Sequence, residues 1–359
     1  MQNYIKIMSI LVIISLLLGV FVTGCGSSTT TNEKAISEKN ETKTSEEGKN
    51  GEAKHVFKLS NVFTPDQPLN VALEEVAKNI NERTNGAIEI QIYPNGEIAA
   101  YKDGVELVLR GAHFISNEDP SYIGDYVPEY KALVGPMLYE TMDEYSAMCQ
   151  SDYVKEINKK AEEKGIKVLA LDYCFGFRHI VANKPVKTPE DLKGVKLRVP
   201  KSDLWIDTLT AMGATPVPMA WSEVYSALQQ GVIDGLETSI SDVAANQLQE
   251  IVKHISLTGH FCGTTCIALS NEVWKTLTPE QQKIMEEEFA AGAIKNNEMV
   301  KEQEAKDRKM LEESGVQFHE VDLESFRERT AVVFEKISGL PSGTYEKIQE
   351  ELNKIRKSK

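Results

Sequence analysis

The chain has 359 residues, 41% of them hydrophobic and 26% charged, and a formal net charge of −14. That composition can bury a core large enough for two lobes, and its acidity speaks against nucleic acid as a partner. An anionic ligand would meet a repulsive overall field, so a site for one has to be built locally from a few well-placed basic residues.

In chain order, Lys6 precedes an apolar run over residues 7–22, the length of a signal-peptide core and short for a spanning helix. Val22, Thr23, Gly24 and Cys25 end the run in a pattern that resembles the lipobox of bacterial lipoproteins, whose cysteine is acylated. Residues 1–24 are therefore expected to be a lipoprotein signal peptide and Cys25 the lipidation site. Residues 25–53 carry almost no apolar side chain and read as a disordered tether. The other cysteines, Cys149, Cys174, Cys262 and Cys266, do not form a disulfide framework by spacing, and whether Cys262 and Cys266 pair stays open. No second Cys or His pair stands at zinc spacing, so neither a metal nor a cofactor is expected.

The globular part opens with a strand over 55–60, then a turn at 64–68. Leu69, Ala72, Leu73, Val76, Ala77 and Ile80 form a helical stripe closed by Asn85 and Gly86. Ile88, Ile90 and Ile92 alternate as a strand; a helix over 102–110 and a short buried strand over 112–116 follow. Two β-α-β crossovers in series imply a first parallel sheet. Residues 117–138 collect Glu118, Asp119, Tyr122, Asp125, Tyr126, Glu129 and Tyr130, either a polar wall facing a ligand or a solvated loop, the more frequent case for any one residue. Helical sequence over 143–164 leads to a strand over 166–171, a turn over 172–176, and a strand over 177–182 that contains Arg178.

From Thr188 the local signals agree closely. Thr188, Pro189 and Asp191 start a short helix. Val195, Leu197 and Val199 alternate with Lys196 and Arg198, so this strand carries Arg198 to its carboxyl end. A helix over 202–212, an extended segment over 215–218, a helix over 222–230 and a buried strand over 232–237 complete a second parallel unit, whose ligands would bind at strand carboxyl ends. Next come a helix over 241–249, an extended stretch over 251–257, a turn over 259–261 that includes His260, and a strand over 266–269. Thr278, Pro279 and Gln281 cap a helix of roughly 35 residues, about 50 Å long, enough to cross both lobes. A strand over 316–321 and helices over 323–337 and 343–356 finish the chain.

No phosphate-binding loop, HExxH, GxSxG elbow or dinucleotide fingerprint is present. Arg178 and Arg198 stand out instead, because a guanidinium offers a planar fork of donors matched to a carboxylate. The competing reading is two surface arginines on amphipathic strands. Trp221 and Tyr225 lie four apart on one helix, as core or as ligand platform. Glu237 is either a ligand group or the carboxylate that fixes an arginine.

The run GFRHIVANKPVKTPEDLKGVKLRVP over 176–200, then GATPVPMAWSEVYSALQQGVIDGLE over 213–237, resembles the solute-binding subunits of tripartite ATP-independent periplasmic (TRAP) transporters, DctP-like. YPNGE at 93–97, VPEY at 127–130 and LTPEQQK at 277–283 extend the resemblance to nearly all of 54–340. It implies a two-lobe α/β periplasmic-binding-protein-like fold, with a mixed, largely parallel sheet in each lobe and a long lobe-spanning helix. Lobe I would use 54–174 and 263–303, and lobe II 175–262 and 304–359. It also implies capture of a small organic acid, with Arg198 pairing with the carboxylate, Arg178 contributing, Trp221 packing on the ligand and His260 able to line the site. Thr238 stands where many members have a ligand-binding asparagine; with Glu237 and Tyr225 it completes the expected ligand set. The expected partner is a two-subunit membrane permease, served by a monomeric, lipid-anchored extracytoplasmic binding protein that is not an enzyme. The alternatives are an exported enzyme on carboxylate substrates, with Glu237 or His260 as general base, or a binding protein for an ABC importer or a sensor kinase.

Overall fold

A computed structural model of the chain describes residues 55–358, so the proposed signal peptide, Cys25 and the whole proposed tether over 25–53 lie outside the described residues. Strands form as expected at β1 (His55–Ser60), β2 (Ile88–Tyr93), β5 (Lys196–Val199) and β6 (Thr215–Pro218), whereas β3 (Phe114–Glu118) and β7 (Gly235–Ser239), buried on both faces, lie further along the chain than the expected 112–116 and 232–237. The set β1, β2 and β3 in one half and the set β5, β6 and β7 in the other are each parallel internally, with a helix between successive strands.

The two sets are joined by strands longer than the sequence implied. β4 (Ile166–Ala182) and β8 (His254–Ser270), each of 17 residues, pair antiparallel along their length. With β9 (Gln317–His319) on the side of β8, they make one nine-stranded sheet in the order β2-β1-β3-β8-β4-β7-β5-β6. The turns expected at 172–176 and 259–261 are therefore strand interior, and His260 is a strand residue. Gly176 has the φ of a turn glycine but lies inside a strand. It sits at φ +99° where the β4–β8 register slips between Cys174 and Gly176, a bulge rather than a reversal. It faces Gly263, where a Cβ would lie 2.6 Å from the Gly176 carbonyl oxygen.

The irregular backbone of β4 is satisfied by the long helix Pro279–Glu313, 35 residues started by the expected Thr278 capping box. Asn297 Oδ1 accepts from Cys174 N–H at 3.0 Å, Asn297 Nδ2 donates to Asp172 O at 2.9 Å, and Asn296 Nδ2 donates to Cys174 O at 2.7 Å. Backbone groups released by the bulge thus keep their partners. The same helix packs on Pro68–Arg83 in one half and Ile240–Ala245 in the other. Phe57, Leu73, Ile115 and Phe289 belong to one buried cluster; Val181, Leu236, Val243 and Leu311 belong to another.

Smaller departures follow from local caps. The helix expected over 143–164 is two, Met142–Cys149 and Asp152–Glu163, because the Ser151 hydroxyl takes the Val154 N–H and starts the second. The tail helix over 323–337 likewise divides into Leu323–Thr330 and Val333–Lys336. All four described cysteines are free and buried, so Cys262 and Cys266 do not pair. Among the described residues no helix is long and apolar enough to cross a membrane, and no cluster of His, Cys, Asp or Glu could hold a metal.

Candidate functional site

Between the two halves of the sheet lies a cavity of about 60 Å³, walled by Gln67, Tyr101, Glu118, Asp119 and Tyr122 from one side and Arg178, Arg198, Trp205, Trp221 and Asp242 from the other. Arg198 comes from β5, whose alternation buries Leu197 and Val199 and brings the arginine to the strand's carboxyl end. It is 2% exposed, and among the described residues no carboxylate lies in salt-bridge distance of it. Its Nε and Nη2 donate to Met219 O at 3.1 and 3.0 Å, Nη2 also reaches Tyr101 Oη at 3.5 Å, and Nη1 has no hydrogen-bond partner among the described residues. The Trp221 ring lies 5.3 Å from the guanidinium carbon. Burial holds this group below the usual arginine range.

Arg178 is fixed differently. Its Nε donates to Glu237 Oε2 at 2.6 Å, and its Nη2 donates to Glu237 Oε1 at 2.9 Å and to Glu237 O at 2.8 Å, a bidentate pair. The guanidinium is stacked by Phe175 at 5.4 Å and Trp205 at 4.7 Å. Burial pushes the Glu237 carboxyl up, but Arg178 and His260 outweigh it and leave it below the usual carboxylate range. Behind the pair, His260 Nε2 is 3.7 Å from Glu237 Oε2, and its Nδ1 shares a 2.8 Å hydrogen bond with the Thr258 hydroxyl. Burial lowers the His260 imidazole.

The structure thus brings Arg178, Arg198 and Trp221 into one wall and sets Glu237, His260 and Thr238 behind it. Thr238 donates to Asp242 Oδ2 at 2.7 Å, so the polar group presented to the cavity at this edge is Asp242, four residues further on. Tyr225 is outside the cavity: its hydroxyl donates to Glu250 at 2.9 Å, and it lines an outer groove of about 460 Å³ that shares Val62, Tyr101 and Trp221 with the inner one.

The opposite wall was weighed in the sequence without being assigned. Glu118 ends β3 and is 4% exposed; burial pushes its carboxyl up to about 8. Asp119 caps the 3-10 turn Pro120–Asp125 by accepting from Ser121 N–H at 2.8 Å, and burial raises it to about 6. Glu118 Oε1, Tyr122 Oη and Trp205 Nε1 are buried without partners among the described residues. Orphaned polar atoms around one cavity point to a ligand that supplies the missing partners. Asp119-Pro120 is an N-cap signature that could have flagged this wall; Gln67 and Tyr101 gave no such signal.

The two walls touch. Gln67 Nε2 donates to Asp242 Oδ1 at 2.9 Å, the Ser121 and Ser202 hydroxyls lie 3.2 Å apart, and Tyr101 Oη accepts from Trp221 N–H at 2.9 Å. Tyr101 does so from φ 57°, ψ −133°, a strained conformation for a non-glycine residue.

A buried polar pocket with two arginines between two α/β lobes is the architecture of a binding protein for a small solute. Residues 59–339 match the family model of bacterial extracellular solute-binding proteins, family 7, and the chain belongs to this DctP family of TRAP solute-binding proteins. A TRAP periplasmic solute-binding protein of Desulfovibrio salexigens, solved with diglycerolphosphate, is 46% identical over 85% of this chain and 98% of its own, with a TM-score of 0.83. One from Fusobacterium nucleatum, solved with sn-glycerol 3-phosphate, is 44% identical over 85% and 99%, also at 0.83. The C4-dicarboxylate-binding periplasmic protein of Rhodobacter capsulatus is 28% identical over 75% of this chain and 81% of its own. These relatives are solute-binding proteins with the two-lobe fold, not enzymes.

Proposed function

We propose that the protein captures a small polyol acid, a glycerol phosphate ester first and a sugar carboxylate second, and delivers it to a TRAP permease. The buried Arg198, with two N–H groups unassigned and no carboxylate, carries the reading: it is half of a salt bridge whose other half is the ligand. Arg178 adds a second cation, with Glu237 and His260 positioning it; Trp221 packs beside the guanidinium, Asp242 on its Thr238 support accepts from ligand hydroxyls, and Tyr225 borders the entrance.

The phosphate preference rests on two relatives, 44% and 46% identical, which were solved with glycerol phosphates. Relatives near 30% identity were solved with L-galactonate and L-fuconate, which supports the carboxylate class the sequence pointed to. Calorimetric titration with sn-glycerol 3-phosphate, L-fuconate and neutral glycerol tests it. Binding of the acids and not of glycerol is expected; equal binding of glycerol would refute the anion site.

We assign 54–174 with 263–303 to one lobe and 175–262 with 304–359 to the other, with the monomer as the working unit. We also assign acylation to Cys25, anchoring the protein at the extracytoplasmic face of the membrane. Labelled palmitate should be incorporated by the wild type and not by Cys25→Ser.

A further inference from the structure

The cavity presents a charge problem. Its wall contains Arg178 and Arg198 against Glu118, Asp119 and Asp242, and Glu237 behind Arg178 is a fourth carboxyl. If all were ionised, the pocket would repel an anion. Three of the four have partners that favour charge: Glu237 has Arg178, Asp242 accepts from Gln67 and Thr238, and Asp119 accepts from Ser121 N–H with Arg178 nearby. Glu118 has the weakest support, a single backbone N–H from Tyr101. Its Oε1 has no hydrogen bond, and no cation is among the groups that act on it.

Its neighbours come from every element around it. Asp119 adjoins it in sequence and its charge opposes ionisation; the Tyr101 backbone amide favours it. Across the β3–β8 ladder lies Cys266, and from the 3-10 turn comes Tyr122, whose hydroxyl is also unpartnered. Both are neutral at pH 7, since burial pushes the Cys266 thiol above its usual range and the Tyr122 phenol well above its own. A carboxylate so placed would be a buried charge without a counter-ion, and a bound anion would add a second.

We propose that the lobes close on the ligand with Glu118 protonated, so that capture takes up one proton from solvent and the Glu118 hydroxyl donates a hydrogen bond to the ligand. This rests on the anion reading above and adds a specificity residue in the first lobe. With the cleft open and hydrated, Glu118 is an ordinary carboxylate, ionised at pH 7. Closure excludes water, and the proton enters with the ligand. Between the ordinary carboxyl range and about 8, the value in the closed form, affinity falls as pH rises, by about tenfold per unit for one proton.

The test is calorimetric titration of the full chain with sn-glycerol 3-phosphate at pH 7, in imidazole and in Tris, two cationic buffers of different ionisation enthalpy, with Kd followed from pH 7 to pH 8. Over that range the ester is mostly dianionic, its second ionisation lying near 6. The wild type is expected to take up about one proton per ligand at pH 7, about half a proton at pH 8, and to lose about fivefold in affinity between them, because the window closes at about 8. Glu118→Gln, which keeps a donor in the same place, should take up none and show a flat pH profile; its melting curve checks the fold. No uptake by the wild type overturns the proposal, as does equal uptake by Glu118→Gln, which would put the proton elsewhere. Tighter binding of ethanolamine phosphate without uptake also overturns it, since the acids would then be ionised partners of an ammonium. Those results leave the anion reading standing, whereas failure of every anionic probe to bind the wild type overturns both. If Glu118→Gln does not fold, wild-type uptake and the pH slope decide alone.

Discussion

Replacing Arg198 with methionine separates binding from stability. A guanidinium has five N–H donors. Three go to Met219 O and Tyr101 Oη, which leaves the two on Nη1 for a ligand. A hydrogen bond to a charged group contributes about 1.5–3 kcal/mol. Two of them make roughly 3–6 kcal/mol, or about 10²–10⁴ in Kd at 1.4 kcal/mol per tenfold. The ligand-free protein should behave otherwise, because Arg198 has no carboxylate to leave behind. An apolar side chain of similar length removes a buried charge, a change that is often neutral or stabilising. The expected outcome for Arg198→Met is therefore binding lost by calorimetry, with an unfolding midpoint equal to or above that of the ligand-free wild type. Arg198→Lys should recover only part of the affinity, since an ammonium lacks the planar fork. A Kd change below about tenfold would refute the ligand role, and a loss of several kcal/mol in ligand-free stability would show Arg198 to be a structural brace.

Glu237→Gln leaves Arg178 buried without its counter-ion and should cost roughly 3–5 kcal/mol in urea unfolding; an unchanged midpoint would mean that the pair contributes nothing to the fold. Tyr101→Phe removes the hydroxyl that accepts from Trp221 N–H, so ligand release in stopped flow should quicken by about 2–12-fold, from about 0.5–1.5 kcal/mol, and unchanged release would exclude a latch. Burial, with help from His260 and Arg308, pulls His179 down to about 3, and its Nδ1 accepts from Gly259 N–H at 3.0 Å. A histidine kept neutral by folding stabilises above its ordinary value near 6.5, and that contribution is lost as pH falls towards 3. Acid unfolding followed by circular dichroism should thus be shallower in His179→Gln, and identical profiles would count against His179.

How much was legible in the chain depended on where each signal lived. Helix caps and alternating strands are local, so β1, β2, β5 and the Thr278 cap were read nearly to the residue. The placement of Arg198 followed from the alternation of β5 alone. The continuity of β4 and β8 was not legible, because Gly176 and Gly259 look like turn glycines; pairing with Gly263 keeps the first in its strand, and the second sits at a register slip where its N–H bonds His179 Nδ1. The wall of Glu118 and Tyr122 escaped for a related reason. A carboxylate and a phenol in a Pro- and Gly-rich loop read as solvated, and only packing against β8 and the Tyr101 segment buries them. Tyr225 failed in the opposite sense: it shares a helical spacing with Trp221, but the break between the 3-10 turn Trp221–Glu223 and the helix Val224–Gln229 turns it to the outer groove.

The long ladder between β4 and β8, which slips in register at four places, also sets how the two lobes can move. No loose peptide joins them; any parting has to bend a hydrogen-bonded ribbon that Asn296 and Asn297 clip to a 35-residue helix. Such a joint behaves as a leaf spring with a splint along its back. Bending is easiest where the register slips, as around Gly176, and Phe175 and Arg178 lie within two residues of that point, where displacement would be least. The cross-cleft bonds of Gln67 and Tyr101 lie beyond it, where the same small bend becomes the largest travel. One end of the cavity thus keeps its shape through the stroke while the other makes and breaks its contacts.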